Sequence, residues 1–151
     1  SPSPSPRQHA RLQQYAQHRR SIATTAPYGA VDPPFDICRL AIGAGATFVA
    51  RATIAQPQMC ETLIKKGIQH DGFSVIEIMT HCHTQFGRKN KRGRPLDNFN
   101  YFKDRSVMKA KADGMPQEEL ADKYVIGELF YDAGVEEYTK KYDKVVEKAG
   151  R

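Results

Sequence analysis

Cys38, Cys60 and Cys82 are the side chains of this sequence best equipped for metal or redox chemistry, and Cys82 has the most suggestive neighbours. It stands between His81 and His83, with Gln85, Arg88, Lys89 and Asn90 next in line. A thiol between two imidazoles invites a metal reading, yet adjacent residues in extended chain point in opposite directions and cannot all grip one small ion. Residue types alone therefore favour the plainer reading of an isolated cysteine, a small buried hydrophobe beside polar loop histidines. Three cysteines without a close pair argue against a disulfide framework and a self-contained zinc site, and point to a reducing compartment. Their equal spacing of 22 residues is not a repeat, because the flanks DICRL, QMCET and HCHTQ share nothing else. Cys38 and Cys60 fall on predicted helix faces and read as packing residues.

The elements that must position Cys82 are legible around it. Asp36 can cap a short helix from Ile37 to Gly43, ended by GAG. A β-rich run from Thr47 to Arg51, a helix opened by Pro57 and a second β-rich run from Phe73 to Thr80 then form a βαβ unit with a right-handed crossover. The helix places Cys60, Leu63, Ile64 and Ile68 on one face, with Gly72 as its stop. FSVIEIMT is nearly continuous in apolar character, as in a parallel strand covered on both faces. Cys82 follows that strand, at the carboxyl edge where open parallel sheets bind ligands.

Residues 81–104 lack a helical or strand period and read as an exposed functional loop. Short helices are expected around Arg105–Asp113 and Pro116–Lys123, and a strand at Tyr124–Phe130. A closing amphipathic helix gathers Val135, Tyr138, Tyr142, Val145 and Val146 on a packing face, with Glu136–Lys140 and Glu137–Lys141 pairs opposite.

A chain of 151 residues, 40% hydrophobic, suffices for one buried core. The reading is a tail over residues 1–20, opened by SPSPSP and nearly free of apolar positions, and one α/β domain over residues 21–151. The formal charge of +6 resides in two segments, with four arginines in residues 1–20 and five basic residues in 88–94, so the remaining residues sum to −3. A mildly acidic body with basic charge in a tail and a loop is not marked as nucleic-acid binding, despite a pI of about 9.3. The basic loop reads as solvated, with steering of an acidic partner or of coenzyme A phosphates as its functional alternative. No apolar run is long enough to span a membrane and no secretory h-region is visible, so a soluble, cytoplasmic protein is expected.

The strings TTAPYGAVDPPFD, AGATFVARAT, LIKKGIQHDGFSVIEIMTHCHTQFGRKNKRG and ADKYVIGELF, in that order, resemble the β subunit of 2-oxoacid:ferredoxin oxidoreductases, most closely the 2-oxoglutarate type. The resemblance runs from about Ser21 to the C-terminus. It implies an α/β fold, the C-terminal part of a thiamine-diphosphate-binding domain with a parallel sheet and flanking helices. It further implies a subunit that binds thiamine diphosphate and Mg²⁺, carries a 4Fe-4S cluster and works with an α subunit. Together they would convert a 2-oxoacid and coenzyme A into acyl-CoA, CO₂ and reduced ferredoxin. The family's late cluster-ligating cysteine lies in a C-(P/H)-x-x-x-G-R motif that falls on Cys82, completed by Gly87 and Arg88. In the full subunit the resemblance also brings Thr24, Thr25 and Tyr28 towards the cofactor. Arg51, read at the end of the first strand, either faces the cofactor cleft or forms a surface salt bridge.

The sequence also departs from that pattern. The family's C-x-x-C pair and its glycine–aspartate motif for Mg²⁺ and thiamine diphosphate are not among these residues, and one cysteine cannot hold a four-iron cluster. SPSPSP stands where the family has a Ser-Pro-Thr-Thr loop, as a shifted reading frame or a divergent terminus would produce. The expectation is a subunit fragment that supplies one cluster ligand and holds neither cofactor alone. The alternative is a non-catalytic remnant or subunit-interaction module.

Overall fold

The computed structural model describes residues 22, 27–29, 35–80, 82–91 and 93–150. The expected N-terminal tail, Thr24, Thr25 and His81 lie outside the described residues.

Helix α1 (Ile37–Gly43) opens as read, with Asp36 Oδ1 accepting from the Arg39 N–H at 3.2 Å. Strand β1 (Phe48–Thr53) outruns its predicted end, so Arg51 is inside the strand. Helix α2 (Pro57–Gln69) starts on Pro57, whose missing N–H costs nothing in a first turn. Strand β2 (Ser74–Met79) pairs in parallel with β1, completing the predicted βαβ unit. A π-helical turn (His83–Gly87) follows, then α3 (Pro95–Arg105), β3 (Ser106–Met108), α4 (Lys109–Ala112), α5 (Gln117–Leu120), β4 (Tyr124–Tyr131) and α6 (Tyr138–Ala149).

The sheet order is β2-β1-β4-β3 and the sheet is mixed, a correction to the expected parallel one. β4 runs antiparallel to β1 and parallel to β3. The residue pattern of β4 specifies a strand but not its direction, which the route through α3, β3, α4 and α5 decides. Within the β1–β4 ladder the register shifts between Val49 and Ala50, so Leu129 is the extra residue of a bulge.

β1 is the centre of the core because its two faces are buried against different helices. Phe48, Ala50 and Ala52 point to one side, where they pack with Leu63 and with Met59, Cys60 and Ile76. Val49 points to the other, with Cys38, Ala41, Ala46, Ile42, Val75, Leu129 and Phe130. Small residues on β1 let α2 approach closely, and Gly67 completes the fit, since a Cβ there would lie 2.4 Å from Ile76 Cδ1.

Several expectations are corrected. The buried side of α2 carries Leu63 and Gly67, with Met59 and Cys60 beside them, whereas Ile64 and Ile68 are exposed. α2 ends at Gln69, and Gly72 serves close approach instead of a helix stop, as a Cβ there would meet Thr47 Oγ1 at 2.4 Å. β2 is half-buried, not covered on both faces. The segment 95–104 is helical, opened by Pro95 at its first turn. The apolar face of α6, expected to pack, is exposed at Tyr138, Tyr142, Val145 and Val146. Its predicted ion pairs are replaced: Lys144 pairs with Glu136 and Lys140 with Asp71, while the Glu137 carboxylate caps the helix by accepting from the N–H groups of Thr139 and Lys140.

Candidate functional site

At the carboxyl edge of the parallel pair, Ile54 N–H donates to Met79 C=O at 3.1 Å, carrying the ladder one step past β1. Thr53, fully buried, joins this edge to the following loop by donating to Gln56 Oε1 at 2.6 Å, and its hydroxyl lies 3.4 Å from Ser106 Oγ at the start of β3. The chain leaving β2 reaches Cys82 within three residues of the strand's end.

Cys82 is exposed, which overturns its reading as a buried hydrophobe. It is the N-cap of the π-helical turn, whose closure is tight, with Gly87 N–H donating to Cys82 C=O at 2.7 Å. The Cys82 Sγ lies 3.4 Å from Thr84 Oγ1. The Thr84 hydroxyl, then the backbone amides of Gln85 and Phe86, hold the thiolate and bring the thiol down to about 7 from an ordinary 9.0. A sulfur surrounded by N–H and O–H donors at a rigid strand end is suited to act as a thiolate ligand or nucleophile.

The loop after Cys82 is braced by Asn90. Its amide Nδ2 donates to Phe86 C=O at 2.7 Å, and its carboxamide binds both backbone groups of Ile22 at 2.9 Å. The sequence sets Asn90 near Cys82 but carries no local signal for its role. Its partner lies 68 residues away, and only the fold brings the two together.

Arg51 sits elsewhere, on the α1 side of β1, in a cluster of charges. Its Nε donates to Glu77 Oε2 at 2.5 Å and its Nη2 to Asp36 Oδ1 at 3.1 Å, with the guanidinium side chain 14% exposed. Cys38 Sγ donates to the same Glu77 oxygen at 3.2 Å. Burial pushes the Cys38 thiol up to about 12; Arg51 opposes that shift, while Glu77 and Asp36 add to it. Asp36 thus caps α1 and binds Arg51 with one oxygen, tying the helix to both parallel strands. Glu77 was the available signal, a lone acid within an apolar strand that had to find a cation. The β1–β2 register sets it directly opposite Arg51.

The three sulfurs do not converge. Cys38 points at Glu77, Cys60 donates to Thr53 C=O at 3.4 Å, and Cys82 lies in its own turn. Among the described residues no group of three His, Cys, Asp or Glu side chains is gathered for a metal ion. Two open clefts, of about 270 and 330 Å³, lie at the opposite end of the strands, around Thr47, Gly72 and Tyr138 and around Phe48, His70 and Tyr131. No helix among the described residues is long and apolar enough to cross a membrane.

The family described as thiamine pyrophosphate enzyme, C-terminal TPP binding domain, matches residues 8–78. The chain is 44% identical over 126 residues to the 2-oxoglutarate synthase subunit KorB of Methanocaldococcus jannaschii, covering 83% of this chain and 46% of that protein. It is 43% identical over 132 residues to KorB of Methanothermobacter marburgensis, covering 87% and 46%. The fold is shared with a solved 2-oxoglutarate:ferredoxin oxidoreductase from Magnetococcus marinus, at a TM-score of 0.65 and 24% identity over 86% of this chain and 45% of that one. That structure holds 2-oxoglutarate, coenzyme A and succinyl-CoA. The chain spans under half the length of the curated relatives it matches.

Proposed function

We propose that this chain, which is related to the C-terminal half of the KorB subunits of 2-oxoglutarate synthases, serves as part of the β subunit of a cytoplasmic 2-oxoglutarate:ferredoxin oxidoreductase. The observation that carries the reading is the identity of 43–44% to two such subunits over more than four fifths of the chain. Residues 21–151 form the domain portion in this reading, and residues 1–20 a separate tail.

The residues present fit the implied cofactors unequally. An exposed thiol held near 7 by hydrogen-bond donors suits Cys82 as one ligand of a 4Fe-4S cluster. Cys38 and Cys60 face other partners, so the remaining ligands come from residues beyond these. Nothing gathered among the described residues fits Mg²⁺ or the diphosphate of thiamine diphosphate, whose contribution when bound is to stabilise a carbanion at the substrate carbonyl. The Thr24–Thr25 segment stays a proposed cofactor contact. Arg51 acts in this reading as a positioning residue, fixing α1 and the chain that enters it against β1 and β2. The partners proposed are an α subunit, the N-terminal portion of the β subunit, ferredoxin, coenzyme A and a 2-oxoacid.

The test is co-purification from the native source through a tag on this chain, followed by assay with 2-oxoglutarate, coenzyme A and methyl viologen. Substrate-dependent dye reduction, with a cluster signal lost in Cys82→Ser, is expected. A complex that lacks any such activity, or a cluster unchanged in Cys82→Ser, sinks the assignment of enzyme or of ligand respectively. A second reading, a non-catalytic interaction module, draws on the exposed apolar face of α6. Recovery of the chain with partners but without substrate-dependent reduction would favour it.

A further inference from the structure

We propose that the exposed face of α6, with the cleft at its N-terminal end, is a docking groove for an amphipathic helix of another protein, one whose apolar stripe is edged by carboxylates. The inference concerns assembly, and it depends neither on the enzyme reading nor on any group held by Cys82.

No residue of α6 is buried, yet Tyr138, Tyr142, Val145 and Val146 recur at helical spacing and each is more than half exposed. The Tyr138 and Tyr142 rings stack, with centroids 6.1 Å apart and 20° between their planes, so the stripe begins in one continuous aromatic surface. Tyrosine is among the commonest anchors of protein interfaces. A helix of 12 residues with nothing packed on its apolar side is marginal in water, so a cover on this stripe stabilises α6 at the same time as it binds the partner.

The stripe runs into a concavity. Val135, Tyr138 and Lys141 line the cleft of about 270 Å³ together with Thr47, Gly72 and Phe73. That space admits one large apolar side chain, as an anchor projecting from a helix laid along the stripe requires.

Charge decides what kind of helix fits. Two lysines of α6 are taken up within the chain, Lys140 by Asp71 and Lys144 by Glu136. Lys141 and Lys148 make no ion pair among the described residues, and these two border the stripe. Lys141 follows Tyr138 by three positions and precedes Val145 by four, and Lys148 follows Val145 by three. The acids that line the cleft are already engaged, Glu136 with Lys144 and Glu137 with the N–H groups of Thr139 and Lys140. The other border of the stripe is Thr139, with Asp143 further round the helix. Unpaired charge beside the stripe is therefore positive along one flank, which matches a partner helix with carboxylates on its facing flank. A second copy of this chain fits less well, because two α6 helices packed antiparallel about a twofold axis set Lys141 and Lys148 against their own counterparts. A lipid surface is flat, leaves the cleft unfilled and meets only these two lysines.

The test titrates the full chain into a fluorescent synthetic helix of about three heptads, with leucine at a and d and glutamate at e and g, followed by anisotropy. The control peptide carries lysine in place of each glutamate. At low salt the acidic peptide should bind about tenfold more tightly than the basic one, with the difference shrinking as salt rises. Lys141→Glu with Lys148→Glu should reverse that preference, and both residues are exposed, so the variant keeps the fold. Tyr142→Ala should weaken the acidic peptide about tenfold. Binding of neither peptide, or equal binding of both, overturns the proposal. Self-association of the chain that Tyr142→Ala abolishes overturns it in favour of a second copy. Binding to phosphatidylserine vesicles without binding to the acidic peptide overturns it in favour of a membrane surface. Each of these results leaves substrate-dependent dye reduction by the native complex untouched, so failure of the groove and failure of the enzyme reading are read separately.

Discussion

Asn90 and Ile22 are joined by a reciprocal pair of hydrogen bonds, in which the Asn90 carboxamide accepts from the Ile22 N–H and donates to its C=O, each at 2.9 Å. The side chain thereby imitates a neighbouring strand and fixes the chain that enters the domain against the loop that carries Cys82. A third bond, to Phe86 C=O, leaves the carboxamide little freedom. Asn90→Ala should release Ile22 without unfolding the domain. Hydrogen exchange at the Ile22 amide is expected to accelerate about tenfold, the equivalent of one hydrogen bond's net worth. Unchanged exchange there would mean that the entering segment is held by something else.

Arg51 bonds both Asp36 and Glu77, and the Cys38 thiol donates to the same Glu77 oxygen. Removal of Arg51 takes from two mostly buried carboxylates the guanidinium that both of them bind. Arg51→Met should cost about 3 kcal/mol, in the range for breaking a buried pair from one side. Arg51→Lys should recover little, because one ammonium cannot reproduce the separate bonds from Nε and Nη2. Adding Glu77→Gln to Arg51→Met should restore part of the loss by removing a charge. Urea denaturation decides it, and a methionine variant as stable as wild type would show that the cluster is solvated.

Two thiols of this chain are displaced in opposite directions. Cys82 is drawn down to about 7, first by the Thr84 hydroxyl, and Cys38 is driven up to about 12, first by burial. Alkylation of the isolated chain under reducing conditions should reach half its maximal rate near pH 7 at Cys82, while Cys38 stays inert well above its ordinary 9.0. Between pH 9 and 12 the unfolded chain has lost the Cys38 proton that the folded chain keeps, so this group's contribution to stability falls as pH rises. Cys82 contributes with the opposite sign from about pH 7 to 9, where the unfolded chain binds the extra proton. Cys38→Ala should flatten the alkaline loss. Peptide mapping of the alkylated chain gives the first result and pH-dependent denaturation the second.

The parts of this fold that were legible in the sequence were written locally. Asp36 before ICRLAIG, Pro57 before its helix and the apolar run to Met79 each carry their signal within a few residues. Pro95 carried a similar helix-start signal, but the polar and basic residues before it obscured the period of LDNFNYFKDR. What could not be read depends on contacts between distant segments. The direction of β4 depends on the route by which the chain reaches it, and the Asn90–Ile22 pair joins residues 68 positions apart. The stripe of Tyr138, Tyr142, Val145 and Val146 was visible as a periodicity, whereas its exposure is a property of what the rest of the chain leaves uncovered. The candidate site divides in the same way. Cys82 is marked by its place after a strand and by a family motif, whereas Thr84 and Asn90 gain their roles only when the turn closes.

Gly67 and Gly72 are equally crowded by distance, but their neighbours differ in their freedom to move. A Cβ at either would lie 2.4 Å from a neighbour, Ile76 Cδ1 for Gly67 and Thr47 Oγ1 for Gly72. The methyl of Ile76 can rotate aside, and alanine is worth about 1 kcal/mol more than glycine in a helix interior, so Gly67→Ala should fall near neutral. At Gly72 the obstacle is a buried hydroxyl that pairs with His70 Nε2 at 2.7 Å, and the new Cβ would also meet that nitrogen at 2.8 Å. Neither atom can move without breaking their bond, and the His70 ring is further held against Phe48 and Tyr131. Gly72→Ala should therefore cost about 2 kcal/mol, combining overpacking with a lost buried hydrogen bond. Urea midpoints of the two variants provide the comparison. Equal losses would mean that the Thr47–His70 pair relaxes as easily as a methyl group and does not fix the end of α2 against β1.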